Sequence, residues 1–131
     1  MNRLGKVVEE LSAQFREVTS IETEIMEAAA ENKISLVEKC ILREQAAVMK
    51  LRGLEREKNE AQSACGFANM TFHQILNALD EKERKEYLPI FEELSREVQV
   101  FQEIHEDAGQ LLNVKLRHLN NISQSQVNHK A

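Results

Sequence analysis

The sequence predicts an all-α fold: an elongated antiparallel helical bundle or coiled coil of three long helices plus one short helix. Three observations predict it. Gly occurs four times and Pro once in 131 residues, so the strongest breakers of regular structure are nearly absent and elements should be long. Aromatic residues make up 5%, with no Trp. A core must then be filled with Leu, Ile, Val, Met and Ala, which suits helix packing better than stacked strands. Finally, apolar residues recur at steps of three and four, the spacing of one helix face.

The first helix is predicted from about residue 3 to Ala30, on the stripe Leu4, Val7, Val8, Leu11, Phe15, Val18, Ile25 and Met26, with Glu22 interrupting it beside Ile21. The polar Glu31-Asn32-Lys33 is the first turn. Ser35, three residues before Glu38, fits a capping box for the second helix. That helix carries Val37, Cys40, Ile41, Ala47, Val48, Leu51 and Leu54, broken by Glu44. Gly53 inside it costs about 1 kcal/mol against Ala, which points to close packing there. The charged run 55–60 is a solvated stretch near the helix end, and Gly66 is a left-handed terminator. Asn69 or Thr71 then caps a short helix with Phe72, Ile75, Leu76 and Leu79, and Asp80 with Glu83 forms another capping box. Pro89 is best tolerated in a first helical turn, so either a new helix starts near Leu88, the favoured reading, or one long helix kinks there.

After Pro89 the positions Phe91, Leu94, Val98, Phe101, His105, Ala108, Leu112, Lys115, Leu119 and Ile122 step by three and four throughout. That is a coiled-coil seam, widened by Ile90, Val100, Ile104, Leu111, Val114 and Leu116. A stripe wider than its seam implies more than one neighbour. The stripes of the first two helices look narrow enough to be consumed by the bundle, so the apolar surplus is expected on Leu111, Leu112, Leu116, Leu119 and Ile122. Residues 1–122 are read as one bundle domain and 123–131 as a flexible tail.

Charge and motif content exclude several function classes. The net charge is −5, which argues against a nucleic-acid partner. Between Asp80 and Asp107 ten acids face four bases, whereas from Gln110 to Ala131 the only charged side chains are Lys115, Arg117 and Lys130. Cys40 and Cys65 are too far apart for a metal or disulfide framework and are read as free thiols in a reducing cytoplasm. The opening residues lack the apolar run of a signal peptide, and no stretch is long and apolar enough to insert in a membrane. His105-Glu106 begins like a zinc-protease motif, but position 109 is Gly. The glycines are scattered, so no phosphate loop is present, and no carboxylate pair stands out for acid–base work. The expectation is a protein-binding chain that is not an enzyme, with no metal and no cofactor.

In layout, the stretch 28–66 (AAAENKISLVEKCILREQAAVMKLRGLEREKNEAQSACG) resembles the N-terminal half of FlgN-type flagellar export chaperones. A helix ends in a short polar turn; a second opens with a leading Leu, here Leu36, and closes in a charged stretch before a small-residue turn. Residues 71–122 are similar too: a short helix, a charged spacer and a long Leu-rich helix. In that family two asparagines three apart precede a Leu pair. Leu111 and Leu112 match the pair, while His105 and Ala108 hold the asparagine positions. The resemblance implies a cytoplasmic chaperone of flagellar type III export that binds hook-associated (hook–filament junction) proteins and delivers them to the export apparatus. Cargo would map to Leu111, Leu112, Leu116, Leu119, Ile122 and the tail. The alternative is a structural coiled-coil scaffold or export-ATPase regulator, for which self-association is the expected contact.

Overall fold

The structure, a computed structural model, describes residues 1–130, with side chains through Asp107. It is all-α: α1 (Asn2–Ala30), α2 (Ile34–Ala64), α3 (Phe72–Ala78) and α4 (Glu81–Lys130) pack on one another.

The helix ends follow local chemistry. At the end of α1, Asn32 adopts φ +59°; its amide donates to Ala29 O and that of Lys33 to Ala28 O, closing the last carbonyls in a Schellman motif. The end of α2 repeats it with Gly66 at φ +81°, where the Gly66 amide donates to Ser63 O and Phe67 to Gln62 O. The buried Gln62 side chain then donates to Phe67 O and Met70 O, both at 2.8 Å, and so folds the α2–α3 connection. Of the two candidate caps for α3, Thr71 is the one used, in a full capping box with Gln74.

Three local expectations are corrected. Ser35 does not cap α2: the helix begins at Ile34, so Ser35 lies inside its first turn, and the N-cap is Lys33, with no side-chain cap bond. No helix starts at Leu88. Asp80 Oδ1 accepts the Glu83 amide at 2.8 Å and opens α4 at Glu81, so Pro89 falls inside the helix. Pro89 and Lys85 are both exposed, which lets water take the carbonyl that proline leaves without a donor. Gly53 has no close packing at all: a Cβ there would meet nothing within 4 Å.

The core is organised around α1, which packs along both α2 and α4, whereas among the described residues α2 and α4 do not approach each other backbone to backbone. Its buried residues span an arc of about 220° at 3.6 residues per turn, far wider than the stripe read from sequence. Arg3–Glu60, Gln14–Ala47 and Glu24–Arg43 contacts show α2 antiparallel to α1. Asn2–Tyr87, Arg16–Glu93, Phe15–Phe101 and Glu22–His105 contacts show α4 running parallel to it. Parallel pairing follows from the α2–α3 connection returning the chain to the end where α1 began.

That end holds the main cluster. Leu4, Val8, Leu11, Leu51, Ile75 and Phe91 are buried together. Phe72 of α3 stacks on Phe91 at 4.6 Å, and Lys58 Nζ of α2 lies over the Phe72 ring at 5.4 Å from its centroid. Arg84 donates to Leu76 O and Leu79 O, capping α3 from α4. Helix α4 crosses α1 at Gly5, where an added Cβ would lie 2.7 Å from Tyr87 Cε1. The Tyr87 ring is buried and its hydroxyl donates to Asn2 Oδ1 at 3.0 Å, so it has little room to swing aside. Gly5→Ala is therefore expected to destabilise by ~1 kcal/mol: overpacking of about 1–3 kcal/mol exceeds the ~1 kcal/mol gained in helix propensity. A shift in urea midpoint checks this, and a more stable variant would contradict the packing described.

Candidate functional site

Each long helix carries a polar residue within its apolar stripe that the fold brings to one place: Glu22 in α1, Glu44 in α2 and His105 in α4. Glu22 of α1 is 3% exposed. His105 of α4 presents Nδ1 to Glu22 Oε1 at 2.5 Å, although the rest of its ring is largely exposed. A carboxylate only accepts, so Nδ1 carries the proton. The imidazole stacks on Phe101, which in turn packs on Phe15. From α2, Glu44 reaches Glu22, and its Oε2 is buried with no donor in reach. Burial first, then the hydrogen bond and charge of Glu22, push the Glu44 carboxyl up to about 7, against a lowering by His105. A protonated Glu44 has a hydrogen to give to Glu22; an ionised one places two carboxylates against each other.

Beside this node Ile21, Ile25 and Cys40 form a second, smaller cluster, separate from the main one. Arg43 flanks the node through its pair with Glu24 at 2.6 Å, and the Cys40 thiol is buried 3.7 Å from the same carboxylate. Both cysteines are free. Among the described residues no three His, Cys, Asp or Glu side chains are arranged to hold a metal ion, and no helix is long and apolar enough to cross a membrane.

The second feature is a surface. Leu42 is 67% and Met49 71% exposed, one helical face apart from the stripe that α2 buries. The expectation that apolar surplus is confined to the last helix is thus corrected: α2 leaves large apolar side chains uncovered. Leu36 is exposed as well. Sequence reasoning missed Leu42 and Met49 because neither falls on the seven-residue stripe. It noted Glu22 and Glu44 only as separate interruptions and His105 as a seam position, although a polar residue inside each stripe was itself the available signal.

The predicted cargo residues Leu111, Leu112, Leu116, Leu119 and Ile122 have side chains outside the described residues, as do those of the 123–131 tail. They belong to α4, which spans 50 residues against 29 for α1, and the two run parallel from the same end. His105 meets Glu22 eight residues before α1 stops at Ala30. At equal rise per residue, α1 gives out level with about residue 113 of α4. No family model, no curated protein and no solved structure matches this chain.

Proposed function

We propose that this chain binds an amphipathic segment of another protein along the far part of α4, and that it does so as a cytoplasmic flagellar type III export chaperone for hook–filament junction proteins. The observation that carries the reading is the register of α4: it outruns α1, the long helix it packs along among the described residues, while the sequence continues an apolar stripe through Leu111, Leu112, Leu116, Leu119 and Ile122. An apolar helix face that continues past the end of the helix it pairs with is a template for a partner helix. The layout resemblance supplies the chaperone class. As part of the same proposal, the molecule is an elongated bundle of three long helices plus a short one, with α2 antiparallel and α4 parallel to α1, extended at one end by α4.

The mechanism is physical. Termini of subunits that assemble only after export are amphipathic and unassembled beforehand. Burying each large aliphatic side chain is worth about 1.5–3 kcal/mol before ordering costs, so a few contacts suffice for micromolar affinity and block premature self-association. Nothing in this role calls for a cofactor, a metal or a catalytic group.

Leu112→Asp and Leu116→Asp are each expected to abolish pull-down of junction-protein termini while circular dichroism keeps its helical signal. Unchanged binding in both variants removes the site from the far part of α4. The same helix would also serve a structural coiled coil or an export-ATPase regulator. A stable oligomer by light scattering, with no binding of junction-protein termini, decides for that reading.

A further inference from the structure

We infer that the partner helix taken by the far part of α4 carries an acidic residue inside its own apolar stripe, and that Lys115 selects it. The inference rests on the reading of α4 as a docking helix and names the chemistry of what docks there. Lys115 holds a stepping position of the seam, between Leu112 and Leu119. It is the one charged position in the stripe from Ala108 to Ile122. On a helix a side chain meets those three and four residues away. For Lys115 these are Leu111, Leu112, His118 and Leu119, so its own helix supplies no anion there. The nearest acids before it, Glu106 and Asp107, are more than two turns back and off the seam. No acid follows between Gln110 and Ala131.

Register places this position past the helix that α4 packs along. His105 meets Glu22, so position 115 is level with about position 32 of the first turn, beyond the end of α1 at Ala30. Two acids of the chain lie near that end. Glu27 is more than one turn short of the level of Lys115, and the Glu31 carboxylate is 2.6 Å from Lys33 Nζ. Glu38 belongs to α2, which does not approach α4 among the described residues. A lone lysine in a seam weakens binding of a purely apolar partner, because its ammonium gives up water with no anion in return. Opposite a carboxylate, the same lysine fixes both partner and register. A second copy of this chain is a poor match. Its own far stripe has no acid to offer, and in its acid-rich part, 80–107, the stripe is packed on α1.

Three designed helical peptides, each as long as 108–130, share one Leu stripe and differ at its central position, which is Glu, Leu or Lys. Each is titrated by calorimetry against the full chain at low salt. The Glu peptide is expected to bind at least tenfold more tightly than the Leu peptide, and the Lys peptide more weakly still, with the preference shrinking as salt is added. Lys115→Glu is expected to reverse the order of the Glu and Lys peptides, and Lys115→Met to make the Leu peptide the tightest, both with unchanged circular dichroism. Leu112→Asp is expected to abolish binding of all three. Equal binding of the three peptides, or an order that Lys115→Glu leaves unchanged, overturns the inference while α4 remains the docking helix. A lower urea midpoint in Lys115→Met that Glu27→Gln reproduces overturns it as well, because an acid of α1 would then hold the lysine. So does a dimer in sedimentation that Lys115→Glu dissolves, because a second copy would then be the partner. Binding of none of the three, or binding that Leu112→Asp leaves intact, overturns the reading of α4 and the inference with it.

Discussion

Phe91→Ala is expected to destabilise the protein by ~3–5 kcal/mol, the range for emptying a buried aromatic site, against a total stability of about 5–15 kcal/mol for a domain. Phe91 is 1% exposed and lies where three elements converge. Its ring stacks on Phe72 of α3 at an interplanar angle of 15° and tilts against Tyr87 at 6.3 Å, while Leu4, Val8 and Leu11 of α1 share its cluster. The loss should be uneven. Helix α3 has seven residues, too few to stand without tertiary contacts, and of the other helices it is α4 against which it chiefly packs. Amides of 72–78 should therefore exchange faster by more than the global change predicts, while those of 18–30 track it. Chemical denaturation gives the first quantity and hydrogen exchange the second. A cost under 1 kcal/mol would mean that the α3 end of the core does not hold Phe91 as described.

Local signals were the legible part of this chain. The span of α1, the turn at 31–33, the left-handed Gly66 and the cap at Thr71 each depend on a few consecutive residues, and the structure uses all of them. The failures arose where two local rules competed. Ser35 and Pro89 are good helix-start residues, yet a Schellman turn delivers the chain at Lys33 already in position to start α2, and Asp80 starts α4 two turns before Pro89. Burial breadth was less legible. A stripe shows that a helix has a buried face but not that two helices flank it, so α1 was read as narrow when it is the centre of the packing. The meeting of Glu22, Glu44 and His105 depends on register between residues up to 83 positions apart, which no periodicity within one helix contains. The cargo stripe was visible in sequence because a surplus of Leu beyond the seam is a local fact. The α2 face was not, because Leu42 and Met49 stand out only once their neighbours are seen to leave them bare.

The node between the helices makes stability depend on pH in a direction opposite to that of a paired surface carboxylate. Glu44 titrates near 7 in the folded protein and near 4.5 when unconstrained. The folded state thus holds this proton more tightly than the unfolded chain, and stability falls as pH rises from about 4.5 through 7, then levels. The full shift would correspond to about 3 kcal/mol. Glu44 is only half-buried, and screening by water reduces the expected effect to about 1–2 kcal/mol. The groups that face it are Glu22 from α1 and His105 from α4, with the Arg43–Glu24 pair alongside. Glu44→Gln keeps a donor for Glu22 and has no charge to lose. At pH 8 it should be more stable than the wild type by about 1–2 kcal/mol, at pH 5 nearly equal to it, and its denaturation midpoint should lose most of the slope between. Because the node joins three helices rather than stabilising any one, far-UV circular dichroism of the native state should stay constant across the range while the midpoint moves. A midpoint of the wild type that is flat from pH 5 to 8, or a Glu44→Gln variant less stable at pH 8, would show that water reaches this carboxyl freely and that Glu22 does not hold its proton.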